Sequence, residues 1–167
     1  TALARYDREA VEGAKAVADE VKALGRKALA QVADITDSAS VNAMVDAARS
    51  QFGTIDILVN NAGGGSVRKP LEDITDIEWD RVFDINTKGT FLCSAAVARC
   101  MISQNSGAII NIAGASAHRT YPRYGGYGPA KAAVVAFTHQ ASIEWARFGI
   151  RVNGVSPGPI RDPDSGW

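Results

Sequence analysis

Tyr127 and Lys131 stand four residues apart in the segment YGPAK. On a helix that spacing sends both side chains out from one face. A phenol ionises near pH ~10, too high for a base at neutral pH. A cation held within a few ångströms favours the phenolate. The pair is therefore suited to passing a proton to or from an alcohol or carbonyl oxygen. The same spacing also arises by chance at solvated helix starts, so the pair needs company before it carries an assignment. The two thiols offer no alternative chemistry. Cys93 and Cys100 are seven residues apart in one predicted helix, with Cα atoms about 10 Å apart, whereas a disulfide spans less than about 7 Å. No further Cys or paired His accompanies them, so no metal site is expected.

The elements that must position Tyr127 and Lys131 follow from periodicity. Apolar residues at Val11, Ala14, Val17, Ala18, Val21 and Leu24 predict a helix over 7–24, with Gly25 placed to end it. A strand over 27–32 runs into Asp34. Asp37 or Ser38 caps a helix that continues to Phe52 and closes at Gly53. Residues 55–59 form a compact apolar strand ending in Asn60-Asn61-Ala62-Gly63. A helical region follows Asp76, and a long one covers 86–103. A second apolar strand spans 108–112, a helix 127–148, and a third strand 150–155, leading to Pro157-Gly158.

Short, nearly all-apolar strands alternating with helices imply strands buried on both faces. The expected fold is α/β: one doubly wound parallel sheet with helices on each side, a single domain over 1–167. Ligands of such sheets bind beyond the carboxyl ends of the strands. The unusual sequences lie there: the Asn-Asn-Ala-Gly turn, the segment after Ile112, and Pro157-Gly158.

With 167 residues, the chain is long enough for one substantial core. Eighteen basic residues balance eighteen acidic ones, and no basic block marks a nucleic-acid partner. The longest apolar run, 132–137, is far below the roughly 20 residues that cross a bilayer, and charges interrupt TALARYDREA where a signal peptide needs apolar residues. The expectation is a soluble cytoplasmic protein that binds neither nucleic acid nor membrane.

The segments IDILVNNAG (55–63), DRVFDINTKGTF (80–91), GAIINIAG (107–114), YGPAKAAV (127–134) and IRVNGVSPGPI (150–160) together resemble the short-chain dehydrogenase/reductase superfamily, in order and in spacing. The resemblance covers essentially the whole chain. It implies a Rossmann-like oxidoreductase that interconverts a hydroxyl and a carbonyl of a small-molecule substrate by hydride transfer with NADP or NAD. It implies Tyr127 as general acid/base and Lys131 as the residue that lowers the tyrosine pKa and bonds the nicotinamide ribose. Asn86 matches an asparagine that holds a water in the proton relay. Asn60, Ala62 and Gly63 match the turn against the adenosine side of the cofactor, and Asp34 an adenine contact. Pro157, Gly158 and Ile160 match the loop over the nicotinamide, with Asn153 a structural residue before it. It also implies a homodimer or homotetramer formed through helices 86–103 and 127–148.

Three departures qualify the match. No Gly-x-x-x-Gly-x-Gly precedes Asn60, and TALA resembles the tail of the family's second strand. The first strand and its helix are thus expected upstream of Thr1, and RDPDSGW is expected to stop inside a substrate lid. The family's serine, thirteen residues before its tyrosine, is here Gly114; Ser116 is the expected substitute. Asp162 stands where many members have a cofactor-binding threonine. Around the end of the second strand the chain reads Leu3-Ala4-Arg5-Tyr6, with no acid for ribose hydroxyls. Arg5 meeting a 2′-phosphate favours NADP over NAD. The PGPI segment also resembles members acting on unsaturated thioesters, and Gly114 motivates a further alternative, a catalytically weak cofactor-binding scaffold.

Overall fold

The computed structural model describes residues 2–65, 67–119 and 121–159, with side chains from Val11 onward. Three strands, β1 (Ile57–Asn60), β2 (Gly107–Ile112) and β3 (Ile150–Val155), form a parallel sheet in the order β1-β2-β3. Asn60 pairs with Asn111, and Ile110 with Asn153. Five α-helices accompany it: α1 (Ala2–Ala23), α2 (Ser38–Phe52), α3 (Asp76–Phe83), α4 (Gly89–Gln104) and α5 (Tyr127–Trp145). A π-helical turn, Asp84–Lys88, joins α3 to α4.

Local chemistry explains the helix ends. Asp37 accepts hydrogen bonds from the backbone of Ala39 and Ser40, and Gly53 closes α2 at φ 87°. Thr75 and Glu78 cap α3 reciprocally. Asn105, at φ 51°, ends α4 in the left-handed conformation that asparagine tolerates. Gly107 then opens β2 directly under the side chain of Met101, where a Cβ would not fit.

One face of the sheet holds the core. Leu58, Ile109 and Val152 are in register, and they pack with Val41 and Val45 of α2, with Val97 and Met101 of α4, and with Ala141 of α5. Cys93 and Cys100 are free thiols within this core. On the opposite face Ile57 and Val59 are 65% and 52% exposed. The apolar strand pattern predicts cover on both faces; the described residues cover one.

Two expectations are corrected. Residues 27–32 form no strand, because no described strand lies beside them to complete a ladder. Gln51 Nε2, bonded to the Ala28 carbonyl at 3.2 Å, tethers the segment to α2 instead. Residues 2–4 open α1 and are not a strand tail; Ala-Leu-Ala is strongly helix-forming when no neighbouring strand competes. Among the described residues no helix is long and apolar enough to cross a membrane.

Candidate active site

Tyr127 is the first residue of α5, and Lys131 lies one turn later. Lys131 is 4% exposed, and its ammonium donates to the Ile112 carbonyl at the end of β2, 2.9 Å away. The same nitrogen lies 5.7 Å from the centre of the Tyr127 ring. Burial pushes the lysine below its ordinary value. Burial, with a smaller contribution from Tyr124, pushes the half-buried Tyr127 up. In the chain without a cofactor, burial is the larger influence on Tyr127, and its shift is upward. The ammonium is committed to a strand-end carbonyl, and both groups are desolvated.

Asn86 sits in the π turn, fully buried. Its amide donates to the carbonyls of Gly64 and Val82, both at 2.8 Å, and its Oδ1 accepts from Gly64 N at 3.0 Å. Both N–H groups are therefore spent on holding the turn after β1, leaving one lone pair on Oδ1. The turn itself is pinned from both sides. Thr90 Oγ1 donates to the Asn86 carbonyl at 2.8 Å, and Thr87 Oγ1 reaches the Ala130 carbonyl of α5 at 3.0 Å. A π turn realigns the side chains that follow it, and such turns recur at functional sites. The convergence is tight at Gly63: a Cβ there would stand 2.7 Å from Asn86 Oδ1 and 3.1 Å from Lys131 Nζ. Only glycine permits that approach.

A buried polar chain braces this end of the sheet, and sequence reasoning missed most of it. Asn60 Nδ2 donates to Ser94 Oγ and Asn111 Oδ1, both at 2.8 Å. Asn111 Nδ2 donates to Thr138 Oγ1 at 2.9 Å, and Thr138 donates to the Val134 carbonyl at 2.7 Å. The chain thus links α4, β1, β2 and α5. Asn60 turns its side chain into the protein, so a ligand beyond β1 meets the backbone of the turn. The available signal was an asparagine inside each of two apolar strands, a polar group that burial makes costly unless it is paired.

Gly114 takes φ 119° and ψ 159°, a region essentially reserved for glycine. Ser116 lies in the short 3₁₀ turn Ala115–Ala117 that follows, buried, and its Oγ is 3.7 Å from where a Cβ on residue 114 would stand. That separation is an ordinary van der Waals contact. The loop after β2 is tied to the loop after β3. Ala115 N donates to the Pro157 carbonyl at 2.8 Å, and the His118 ring bonds Ser156 Oγ at 3.0 Å.

Asp34 is exposed and forms a local turn. Its Oδ1 accepts from Thr36 N at 2.8 Å and Thr36 Oγ1 at 2.7 Å, and these bonds hold its pKa down. Pro157 and Gly158 follow β3 at the same end of the sheet. Ile160, Asp162 and the side chain of Arg5 lie outside the described residues.

The loops beyond all three strands carry glycine: Gly63 and Gly64 after β1, Gly114 after β2, Gly158 after β3. An added Cβ at Gly64 or Gly158 would meet nothing within 4 Å. The backbone is open to an extended ligand laid across the strand ends, and the Lys131 ammonium has donors beyond the one used on Ile112. The arrangement combines a proton-bearing phenol, a buried cation and a hydroxyl around a glycine-lined floor.

The family model described as short chain dehydrogenase matches residues 2–165. Levodione reductase of Leifsonia aquatica is 38% identical over 161 residues, 96% of this chain and 60% of that protein. Among solved structures, NAD+-bound xylitol dehydrogenase is 35% identical with a TM-score of 0.87, over 92% of this chain and 59% of its own. A gluconate 5-dehydrogenase from Burkholderia cenocepacia J2315, in complex with NADP and tartrate, is 35% identical with a TM-score of 0.82, over 88% of this chain and 57% of its own. The chain spans about 60% of the length of the curated relatives it matches, and its fold is the Rossmann-like fold of these neighbours.

Proposed function

The chain belongs to the short-chain dehydrogenase family, and from that premise we propose that the whole protein is an NAD(P)-dependent oxidoreductase interconverting a hydroxyl and a carbonyl of a small molecule. The observation that carries the reading is the convergence of Asn86 and Lys131 on Gly63, with Tyr127 one helical turn from the lysine.

A bound nicotinamide cofactor supplies or accepts the hydride. Tyr127 gives its phenolic proton to the carbonyl oxygen, or takes it from the hydroxyl. Lys131, anchored on Ile112, directs its remaining donors to ribose hydroxyls. Ser116 donates to the substrate oxygen, the role left vacant by Gly114. The remaining lone pair of Asn86 Oδ1 holds a water in the proton path. Ala62, Gly63, Pro157 and Gly158 would line the cofactor through the backbone, with Asn60 bracing their floor, and Asp34 would meet adenine. Phe91 on α4 and Ile143 on α5, 50% and 75% exposed, suit the pairing of these helices with a second copy.

NAD(P)H oxidation by the whole protein with a panel of carbonyl compounds tests this. Tyr127→Phe is expected to lose about 10²–10⁴ in kcat/KM, and Ser116→Ala about 10²–10³. Full activity in Ser116→Ala removes that residue from the mechanism. Cofactor binding without turnover of any carbonyl selects the scaffold instead, and turnover of unsaturated thioesters alone selects enoyl reduction.

A further inference from the structure

We propose that His118 is a positioning residue: its ring ties the loop after β2 to the loop after β3 and so fixes the orientation of Ser116 at the strand ends. The proposal rests on the hydride-transfer reading above, in which Ser116 donates to the substrate oxygen, and names the side chain that keeps that donor aligned.

The two loops carry the strand pairing on past its last partners. Ile112 and Val155 are the final pair of β2 and β3. Ala113 N then donates to the Val155 carbonyl and Ala115 N to the Pro157 carbonyl, both at 2.8 Å, with the two-residue stride of a parallel ladder. Beyond Ala115 that ladder stops, because the chain turns into the 3₁₀ helix Ala115–Ala117. The next tie is made by a side chain. The His118 ring bonds Ser156 Oγ at 3.0 Å. A serine hydroxyl both donates and accepts, so either imidazole tautomer makes this bond.

Ser116 lies between these ties. Ala115 precedes it and is bound to Pro157, and His118 follows it and is bound to Ser156. The turn between them is short: Ala117 N donates to the Gly114 carbonyl at 3.1 Å, and His118 N to the Ala115 carbonyl at 3.0 Å. Held at one end, such a turn can swing about that end. Held at both, it presents Ser116 in one orientation. A hydroxyl on residue 114 would sit between the ties of Ala113 and Ala115, fixed by backbone alone. Ser116 stands one residue past the last of them, and among the described residues His118 binds the far end of its turn to the loop after β3.

Burial separates the two roles. Ser116 is buried, whereas His118 and Ser156 are exposed. An exposed hydrogen bond contributes little to overall stability, since water competes for both groups. Its loss therefore frees the turn without unfolding the sheet. The receiving side is stiff: Pro157 follows Ser156 directly, and its ring fixes its own φ. A donor displaced by about 1 Å is costly to a reaction that depends on it, so a bond of little weight for folding carries weight for turnover.

The test uses the whole protein and follows reduction of a carbonyl panel with NAD(P)H alongside amide exchange. His118→Ala is expected to lower kcat about five- to tenfold with KM for carbonyl and cofactor unchanged, the signature of an interaction realised in the transition state. Ser156→Ala removes the tie from the other loop and should give the same loss, with the double variant no worse than either single one. His118→Gln restores most of the rate, because its amide reaches about as far as Nε2 and both donates and accepts. In a Ser116→Ala background, His118→Ala should have no further effect on kcat. Independently of turnover, exchange of the Ala115 amide should quicken about five- to tenfold in His118→Ala and Ser156→Ala, and return in His118→Gln. Wild-type kcat in His118→Ala, a loss that Ser116→Ala fails to mask, a loss confined to the cofactor KM, or an unchanged exchange rate overturns the proposal. Failure to turn over any carbonyl overturns the hydride-transfer reading instead, and the exchange rates still decide whether the tie holds.

Discussion

The part of the molecule from β1 to β3 and the part from α1 to Thr36 are built of similar residues and are held by different means. In the first, strand backbones meet in a parallel ladder, and a buried hydrogen-bond chain runs from Ser94 through Asn60 and Asn111 to Thr138. In the second, residues 27–32 lack a ladder, and Val17, Leu24 and Val32 are 60%, 80% and 63% exposed. A groove of about 290 Å³ separates α1 from residues 30–33. Helix α1 forms because its own residues favour it; the strand-like segment beside it needs partners that its own residues cannot supply. The candidate site lies in the interlocked part.

Asn111 offers the harshest way to break this contrast. Asn111→Ala removes the shared partner of Asn60 and Thr138 and leaves their buried groups unsatisfied. The expected cost is about 3 kcal/mol of stability, read as a fall in denaturation midpoint, with activity lost as the strand ends slip. Val32→Ala, on the loosely held side, is expected to stay within about 0.5 kcal/mol. Similar costs for the two would mean that the two regions do not differ in kind.

That contrast also marks what was legible in the sequence. α2, β3 and the start of α5 were read to the residue because each carries its own signals: Asp37 and Gly53 around α2, and a β-branched run before Pro157. Tyr127 and Lys131 stood out through their spacing only together with the other matching segments, and the turn at Gly63 through its small residues. What was not legible was non-local. Whether 27–32 becomes a strand depends on a neighbour. Whether Asn86 holds water or clamps Gly64 depends on a π turn that no sequence period announces. The direction of the Tyr127 shift depends on burial and on Tyr124, neither of which the four-residue spacing encodes.

Gly63 and Gly13 sharpen the comparison through a change of sign. Gly63→Ala drives a methyl group against Asn86 Oδ1 and Lys131 Nζ, at 2.7 and 3.1 Å. Displacement of the lysine is expected to cost about 10²-fold in kcat/KM. Gly13 lies inside α1, and a Cβ there meets nothing within 4 Å. Gly13→Ala should therefore stabilise the protein by about 0.5–1 kcal/mol, through helix propensity alone, without touching turnover. Thermal denaturation and kinetics of the two variants, run side by side, check both signs. Loss of stability in Gly13→Ala would show that α1 packs more closely than its exposure indicates.

The smallest effect concerns the proton itself. Burial raises Tyr127 above the ordinary phenol value, and the neighbouring Tyr124 adds to the rise. Oxidation of a hydroxyl requires the phenolate, so kcat/KM in that direction should climb with pH until it passes the raised value. Reduction uses the protonated phenol and should stay level through neutral pH. The same shift acts on stability. A tyrosine raised in the folded state keeps more protons than its unfolded counterpart in the alkaline window between the two values, so its contribution is present below that window and is lost as pH rises through it. Lys131, lowered by burial, has the opposite sign. The unfolded chain holds that proton longer, and stability is regained as pH rises from the lowered value to the ordinary one. The two opposing slopes blur an alkaline denaturation curve, which makes the rate profile the cleaner measurement. Tyr124→Phe keeps the ring 6.3 Å from Tyr127 and removes only its hydroxyl. The oxidation limb should then move to lower pH while remaining above the ordinary phenol range, because burial is the larger cause. A limb that does not move, or moves upward, would show that Tyr124 has no part in setting the proton affinity of Tyr127.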